Sequence, residues 1–308
     1  MKASAISDFG TPPTVQDKPA PVAGPGEVVV DVEYASLNGM DLAVWAGYMK
    51  DHMPYELPLT LGRDFAGTVA AVGDGVTDVA VGDPVFGALA TPHLYVGTFA
   101  QQVPVAAANL ALRPDGVDAR TAAALALAGT AAQGAIDALA LADGDTVLIS
   151  GATGGVGAIA VQLAASAGAR VIATATPERA AFVRELGAAE TVDYRDGLTA
   201  AVRAVAPDGV DAVLHAAGDP SELADLVRPG GRMASVLGFG QDAAGDRDLT
   251  ATPVMSVPSA ESLGALADLV TSGALKVPVT ATYTLDELAQ GLTDFSSGKH
   301  GKLAVAVS

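Results

Sequence analysis

A doubly wound parallel α/β sheet joined to a β-rich domain is the fold class this sequence predicts, on the strength of three features. Residues 145–150, Asp-Thr-Val-Leu-Ile-Ser, read as a strand running into a glycine turn at 151–157, Gly-Ala-Thr-Gly-Gly-Val-Gly, with an apolar helix and a second strand at 170–175 after it. From about Thr121 onward five strand-like segments alternate with helical ones, which is the pattern of a parallel sheet with helical crossovers. The chain before about position 115 carries short, glycine-punctuated β-like segments, and the tail departs again from the alternating pattern.

In chain order, residues 27–34 place Val28, Val30, Val32 and Tyr34 on one face of a strand, residues 67–72 run into a Gly73-Asp74-Gly75 turn, and 99–105 read as a later strand. The most apolar stretch, 122–142, is largely alanine but includes Thr130, Gln133 and Asp137, so it reads as a helix pair and not as a membrane span. The helix after the glycine turn sets Ile159 and Leu163 four apart. Further strands are predicted at 170–175, 190–194, 210–215 and 231–237, then an amphipathic helix near 262–272, a helix near 285–296 and a closing strand at 302–307. The simplest organisation makes 1–118 and 252–308 one domain, with the parallel sheet of 119–251 inserted between them.

A glycine turn between a strand and a helix lets a pyrophosphate approach the backbone and meet free N–H groups at the positive end of the helix. The 151–157 turn therefore predicts a dinucleotide site, with Thr153, Gly154, Gly155 and Val156 at the phosphates. An NAD site usually ends its second strand on a carboxylate that binds the ribose 2′-hydroxyl. Here that strand ends in Thr174, Ala175 and Thr176, followed by Pro177-Glu178-Arg179, which reads as an N-cap, a first-turn proline and an arginine. A guanidinium at Arg179 suits a 2′-phosphate, so NADPH is the expected cofactor; the other reading makes Glu178 and Arg179 ordinary solvated helix residues.

Composition narrows the function classes. The chain of 308 residues is half apolar, contains no cysteine and carries a net charge of −18. Disulfides, thiolate metal sites and cysteine nucleophiles are excluded, and a nucleic acid or an anionic membrane is an unsuitable partner for so acidic a surface. The amino-terminal residues have no apolar signal segment, which leads to an expectation of a cytoplasmic protein. His52, His93, His215 and His300 show no pairing in sequence, so no metal site is expected.

Eight motifs follow one another along the chain: Ser-Leu-Asn-Gly-Met-Asp at 36–41, Leu-Gly-Arg-Asp-Phe-Ala-Gly at 61–67, Val-Gly-Asp-Pro-Val-Phe-Gly at 81–87, Gly-Thr-Phe-Ala at 97–100, Gly-Thr-Ala at 129–131, the 151–157 turn, Val-Arg-Pro-Gly-Gly-Arg at 227–232, and Gly301-Lys302. In this order and spacing they resemble the medium-chain dehydrogenase/reductases, in their zinc-free quinone oxidoreductase branch. The resemblance implies a GroES-like catalytic domain, a Rossmann domain and usually a homodimer. Where zinc-dependent relatives carry Gly-His-Glu, this chain reads Gly62-Arg63-Asp64. Without zinc, the implied substrates are already electrophilic: a quinone, or alternatively an α,β-unsaturated carbonyl such as an alkenal or a polyketide-type intermediate. A nucleotide-binding protein with a structural or sensory duty is the alternative outside catalysis.

The resemblance also implies site residues. Asn38 would lie by the nicotinamide, where its amide either binds a substrate carbonyl or caps its own loop; Met40 and Asp41 would lie near the cofactor, and Thr130 on the opposite wall of the cleft. Thr174, Arg179 and Tyr194 would surround the adenosine phosphate, and Ala216, Leu237, Gly238, Val254 and Ser256 the nicotinamide. Arg63 and Asp64 read as a local ion pair. Ala43 and Trp45 replace a tyrosine and an arginine of several quinone reductases; Trp45 is either a flat substrate wall or a structural anchor, and Tyr48 and Tyr95 remain as proton donors. The homodimer is expected to form by pairing of an edge strand near 254–257.

Overall fold

Strand Glu27–Leu37 organises the first structural unit of the chain, and its burial departs from simple alternation. In the computed structural model, which describes residues 1–308, Val28, Val29 and Val30 are all buried. The register against strand Asp64–Val72 shifts twice: between Val29 and Val30 the extra residue, Ala70, is on the partner strand, so Val28, Val30 and Val32 stay buried on one face as predicted, and between Val32 and Tyr34 the extra residue is Glu33, beyond which Tyr34 is only half-buried. Strands Val279–Thr284, Lys302–Ala306, Glu27–Leu37, Asp64–Val72, Pro84–Ala88 and Leu110–Leu112 lie side by side in that order, and Gln102–Ala106 pairs with the first half of Glu27–Leu37. A small antiparallel sheet of Thr14–Asp17, Lys2–Ile6 and Leu59–Thr60 accompanies them. Phe65, Phe99, Leu37 and Leu303 meet in the core of this unit, which comprises residues 1–130 and 257–308.

The second unit, residues 131–256, is a six-stranded parallel sheet. Its order is Glu190–Val192, Arg170–Thr174, Thr146–Ser150, Val210–His215, Val227–Ser235 and Leu249–Pro253. Numbered by sequence this is 3-2-1-4-5-6, so the chain reverses direction of travel between Thr146–Ser150 and Val210–His215, and a ligand crevice is expected outside their carboxyl ends. Helix Ala119–Leu139 contains the division between the units and is one continuous helix where the sequence suggested two. It is also long and apolar enough to cross a bilayer, contrary to expectation, but most of it is buried within the fold, including Ala122, Leu125, Ala132 and Leu139.

The sixth strand, Leu249–Pro253, was not anticipated, because its Leu-Thr-Ala-Thr-Pro sequence buries only Leu249 and Ala251. Residues 254–257, expected to form the unpaired edge, have no regular structure. The outer edge of the sixth strand is closed instead. Gln241 accepts the Ala251 N–H through Oε1 at 2.9 Å and donates through Nε2 to the Leu249 carbonyl at 3.2 Å, while Pro253 has no N–H to offer. A side chain and a proline thereby protect an edge that would otherwise recruit another strand. Gln241→Ala is expected to open this edge and to raise the mass measured by concentration-dependent light scattering, whereas Gln290→Ala, on a helix of the other unit, is expected to leave it unchanged.

Candidate dinucleotide site and buried charge network

At the glycine turn, Gly151 has a φ of +80°, which favours glycine, and its N–H donates to Thr174 Oγ1 at 3.0 Å. Gly157 lies so close to this turn that a Cβ there would collide with the Gly151 carbonyl oxygen and stand 2.7 Å from the Ala152 Cα. Helix Gly155–Ser166 therefore starts hard against the strand end, on Gly154, with no side-chain cap. The N–H groups of its first turn have no partner within the helix, and they carry the positive end of its dipole. At Gly154, a Cβ would meet only the Gly151 oxygen, at an ordinary 3.4 Å. Packing does not demand glycine at 154, and the uncapped N–H groups beside it are the donor set a pyrophosphate requires, so Gly154, Gly155, Val156 and the half-buried Thr153 fit that group.

At the adenosine end the placements differ from expectation in part. Thr174 and Ala175 are buried, and the Thr174 hydroxyl, which also lies 3.4 Å from the Ile149 carbonyl, braces the glycine turn and does not face outward. Pro177–Arg179 forms a short 3-10 helix with Thr176 as N-cap, and Arg179 is half-buried. Tyr194, just past strand Glu190–Val192, is 53% exposed. The residue missed by sequence reasoning is Arg195. Its guanidinium grips Asp193 in a fork, with Nη2 at 2.8 Å from Oδ2, and stands 3.8 Å from Glu178. The hydrogen bonds from Arg195 hold the Asp193 carboxyl below its ordinary range, and those from Thr176 and the backbone, followed by the charge of Arg195, do the same for Glu178. The run Asp193-Tyr194-Arg195 directly after a strand was the available signal.

At the carboxyl ends of the central strands, the Ala216 N–H donates to the Ser150 carbonyl and the Ser150 hydroxyl donates to the Ala217 carbonyl at 2.6 Å. Leu237 is 60% exposed and Gly238 has a φ of +88°. Val254 and Ser256 are half-buried beside Met255, which is 82% exposed. Exposed apolar side chains at these strand ends suit the face of a flat ring.

In the first unit the expected substrate-binding amide is committed elsewhere. Asn38 Oδ1 accepts a hydrogen bond from Lys302 Nζ at 2.6 Å, and its Nδ2 donates to Asp64 Oδ2 at 2.8 Å and the Ser36 carbonyl at 3.1 Å. Asp64 also accepts the Ser36 N–H and hydroxyl, both at 2.7 Å, and lies 3.5 Å from the Lys302 ammonium. Two buried charges are thus paired and hydrogen-bonded, as such burial requires. Arg63 does not pair with Asp64, contrary to expectation; it donates to Thr91 Oγ1 at 3.2 Å, because successive residues entering a strand point to opposite faces. Asp41 is buried too, accepting from the Asn38 N–H at 2.8 Å and the Gly62 N–H at 3.0 Å, and so ties its own loop to the Gly62 segment with both carboxylate oxygens. Burial, reinforced by the neighbouring Asp64 charge, pushes its carboxyl up to about 7.

Of the remaining residues, Thr130 is buried and its hydroxyl donates back to the Ala126 carbonyl at 2.8 Å, within its own helix. Met40 packs against the core of its unit. The Trp45 indole donates to the Thr11 carbonyl at 2.8 Å, the geometry of an anchor. Tyr48 is 76% exposed; Tyr95 is 46% exposed and stacks on His93 at 4.5 Å between ring centroids. No three His, Asp or Glu side chains stand together in a way that would hold a metal ion.

Lys302→Met, which leaves Asp64 buried without its cation, is expected to cost about 3–5 kcal/mol in urea unfolding. For Asp41 the folded carboxyl binds its proton more tightly than the unfolded one, with its ordinary value of 3.8, so its stabilising contribution is present at low pH and lost as pH rises towards about 7. The unfolding free energy of Asp41→Asn relative to wild type is therefore expected to shift in the variant's favour across that window, and a flat difference would contradict it.

Two family models match the chain: the alcohol dehydrogenase GroES-like domain over residues 24–115 and the zinc-binding dehydrogenase model over 155–264. Over 302 residues the chain is 31% identical to a chloroplast envelope quinone oxidoreductase homolog of Arabidopsis thaliana, covering 91% of each protein. It is 34% identical over 309 residues to a phthioceranic/hydroxyphthioceranic acid synthase of Mycobacterium tuberculosis, covering 92% of this chain but 14% of that much longer protein. The quinone oxidoreductase of Coxiella burnetii superimposes with a TM-score of 0.91 at 27% identity, over 100% of this chain and 99% of that one. With its glycine turn at the switch point of a parallel sheet and this likeness along its whole length, the chain belongs to the zinc-free quinone oxidoreductase branch of the medium-chain dehydrogenase/reductases, and is a nicotinamide-dinucleotide-binding oxidoreductase.

Proposed function

We propose that this protein is a zinc-independent, NADPH-dependent reductase of quinones. The uncapped helix start at Gly154, with room where a Cβ would stand, is the observation that carries the reading. When bound, the dinucleotide supplies a hydride from its nicotinamide ring. The N–H groups of Gly155 and Val156 hold its phosphates; Leu237, Gly238, Val254 and Ser256 bound the nicotinamide end. The choice of NADPH over NADH is supported by Arg195, which occupies Asp193 and Glu178, the carboxylates otherwise suited to a ribose hydroxyl, while Arg179 adds a second guanidinium and Tyr194 an exposed phenol.

Asn38, Asp41 and Thr130 are positioning groups in this reading, since their polar atoms are committed to the fold. The exposed phenols of Tyr95 and Tyr48 are the proton-donor candidates, with Tyr95 held by its stack on His93. A homodimer built by strand addition at the sheet edge is not part of the reading, because Gln241 and Pro253 close that edge.

One comparison favours a second reading. The chain resembles a segment of a phthioceranic/hydroxyphthioceranic acid synthase, a name that implies acyl-chain assembly, and hydride addition to an enone asks for the same donor geometry. NADPH oxidation against a panel of benzoquinones, naphthoquinones, 2-alkenals and cyclic enones separates the two: turnover of quinones with inert enones is expected, and the reverse would assign the enzyme to alkene reduction. Arg195→Ala, which frees Asp193 and Glu178 for a ribose hydroxyl, is expected to weaken NADPH binding about tenfold while NADH binding holds or tightens in a fluorescence titration. Equal loss for both nucleotides, or tighter binding of NADH by the wild type, would contradict the NADPH assignment.

A further inference from the structure

His215 is the last residue of strand Val210–His215, in register with Ser150 on one side and Ser235 on the other, and it is buried at the point where the sheet changes direction. Its Nε2 lies 3.2 Å from the Gly218 carbonyl oxygen and its Nδ1 lies 2.9 Å from Ser235 Oγ. A carbonyl only accepts, so Nε2 carries the proton and Nδ1 offers its lone pair to the Ser235 hydroxyl. Ser235 Oγ in turn accepts the Leu237 N–H and the Phe239 N–H, each at 3.1 Å. Donors and acceptors are thereby matched along an unbroken path from the Gly218 loop to the loop of Leu237, Gly238 and Phe239. Both loops hold glycines at positive φ, Gly218 at +90° and Gly238 at +88°, conformations that local sequence leaves open unless something fixes them.

We propose that His215, acting through Ser235, is a positioning residue for the nicotinamide end of the dinucleotide site, locking together the two loops that bound it. This rests on the dinucleotide reading given above. The lock works only with a neutral imidazole. A proton added at Nδ1 would face Ser235 Oγ, whose lone pairs already take two amide protons, and the hydroxyl would have to turn away or release one of them. Burial keeps His215 below the ordinary histidine range, with the Gly218 carbonyl and the Asp219 carboxylate pulling the other way. Strand Thr146–Ser150 presents no charged side chain to the ring; on Val227–Ser235 the arginines, Arg228 and Arg232, are bound to Asp211 and Asp145 towards the far end. Stability linked to the neutral form is present above the unfolded histidine value of 6.5 and falls as pH drops below it.

The test compares NADPH with 2′,5′-ADP, which carries the adenosine end alone. His215→Phe and Ser235→Ala are both expected to weaken NADPH binding about tenfold, the loss of a buried hydrogen-bonded contact, and to leave 2′,5′-ADP binding unchanged. His215→Asn, whose Oδ1 still accepts from Ser235, is expected to recover most of the NADPH affinity. As pH falls below the ordinary histidine range to where the buried imidazole takes up its proton, wild-type NADPH affinity is expected to fall more steeply than that of His215→Asn, because the amide does not titrate whereas the 2′-phosphate is common to both measurements. Unchanged NADPH binding in both His215→Phe and Ser235→Ala, or equal weakening of both ligands, would overturn the positioning role while the dinucleotide reading stands. A wild-type protein that binds neither ligand would overturn that reading, and the proposal with it.

Discussion

The absence of a single Cβ at position 157 allows the second unit to place a helix start where a ligand can use it. The helix comes within contact distance of Gly151 and Ala152, so its first turn begins at the carboxyl end of the central strand and not beyond a looser loop. Gly151 turns at positive φ, Thr174 from the neighbouring strand takes its N–H, and Ser150 ties the same end of the sheet to Ala217. These contacts fix a set of backbone donors before any ligand arrives, which is how a site binds a charged group with little reorganisation. The strand order then determines what else lies nearby, since the reversal between Thr146–Ser150 and Val210–His215 leaves a crevice that neither crossover covers.

The first unit solves a different problem. Lys302, in the closing strand, is buried against Asp64 and Asn38, residues contributed by the first third of the chain. A buried ammonium and carboxylate tolerate burial only when their remaining hydrogen-bonding positions are filled, and Ser36, Leu37 and Asn38 fill them. This demand redirects Asn38, because an amide that holds a buried ion pair has no N–H left for a substrate. Asp41 shows the same logic in the same loop, with both oxygens on backbone N–H groups. Residues with the chemistry of a site are in this case the means by which the chain ends are joined to its beginning.

Much of the fold was legible because it depends on local signals. Strand, glycine turn and helix are adjacent in sequence, and so are the strands at 146–150, 170–174, 190–192, 210–215 and 227–235, each close to where apolar runs placed it. Leu249–Pro253 escaped notice because an edge strand buries only one row of side chains, and its pattern was too short and too polar to stand out. Likewise the two register shifts between Glu27–Leu37 and Asp64–Val72 are set by how the strands pair and leave no mark on the valine run itself.

By itself the sequence determined the class of fold, the position of the glycine turn between strand and helix and the lack of thiolate chemistry, since each follows from neighbouring residues or from composition. It also supplied the adenosine-side candidates Arg179 and Tyr194. Tertiary structure alone decided which polar groups are left to act. Asn38 is taken by Lys302 across 264 positions of sequence, Arg195 is turned onto Asp193 and Glu178, and His215, unpaired with any histidine along the chain, joins two loops through Ser235. The physical reason is that a buried hydrogen-bonding group must find its partner wherever the fold brings one, and that partner is set by strand order and register, neither of which spacing along the chain reveals.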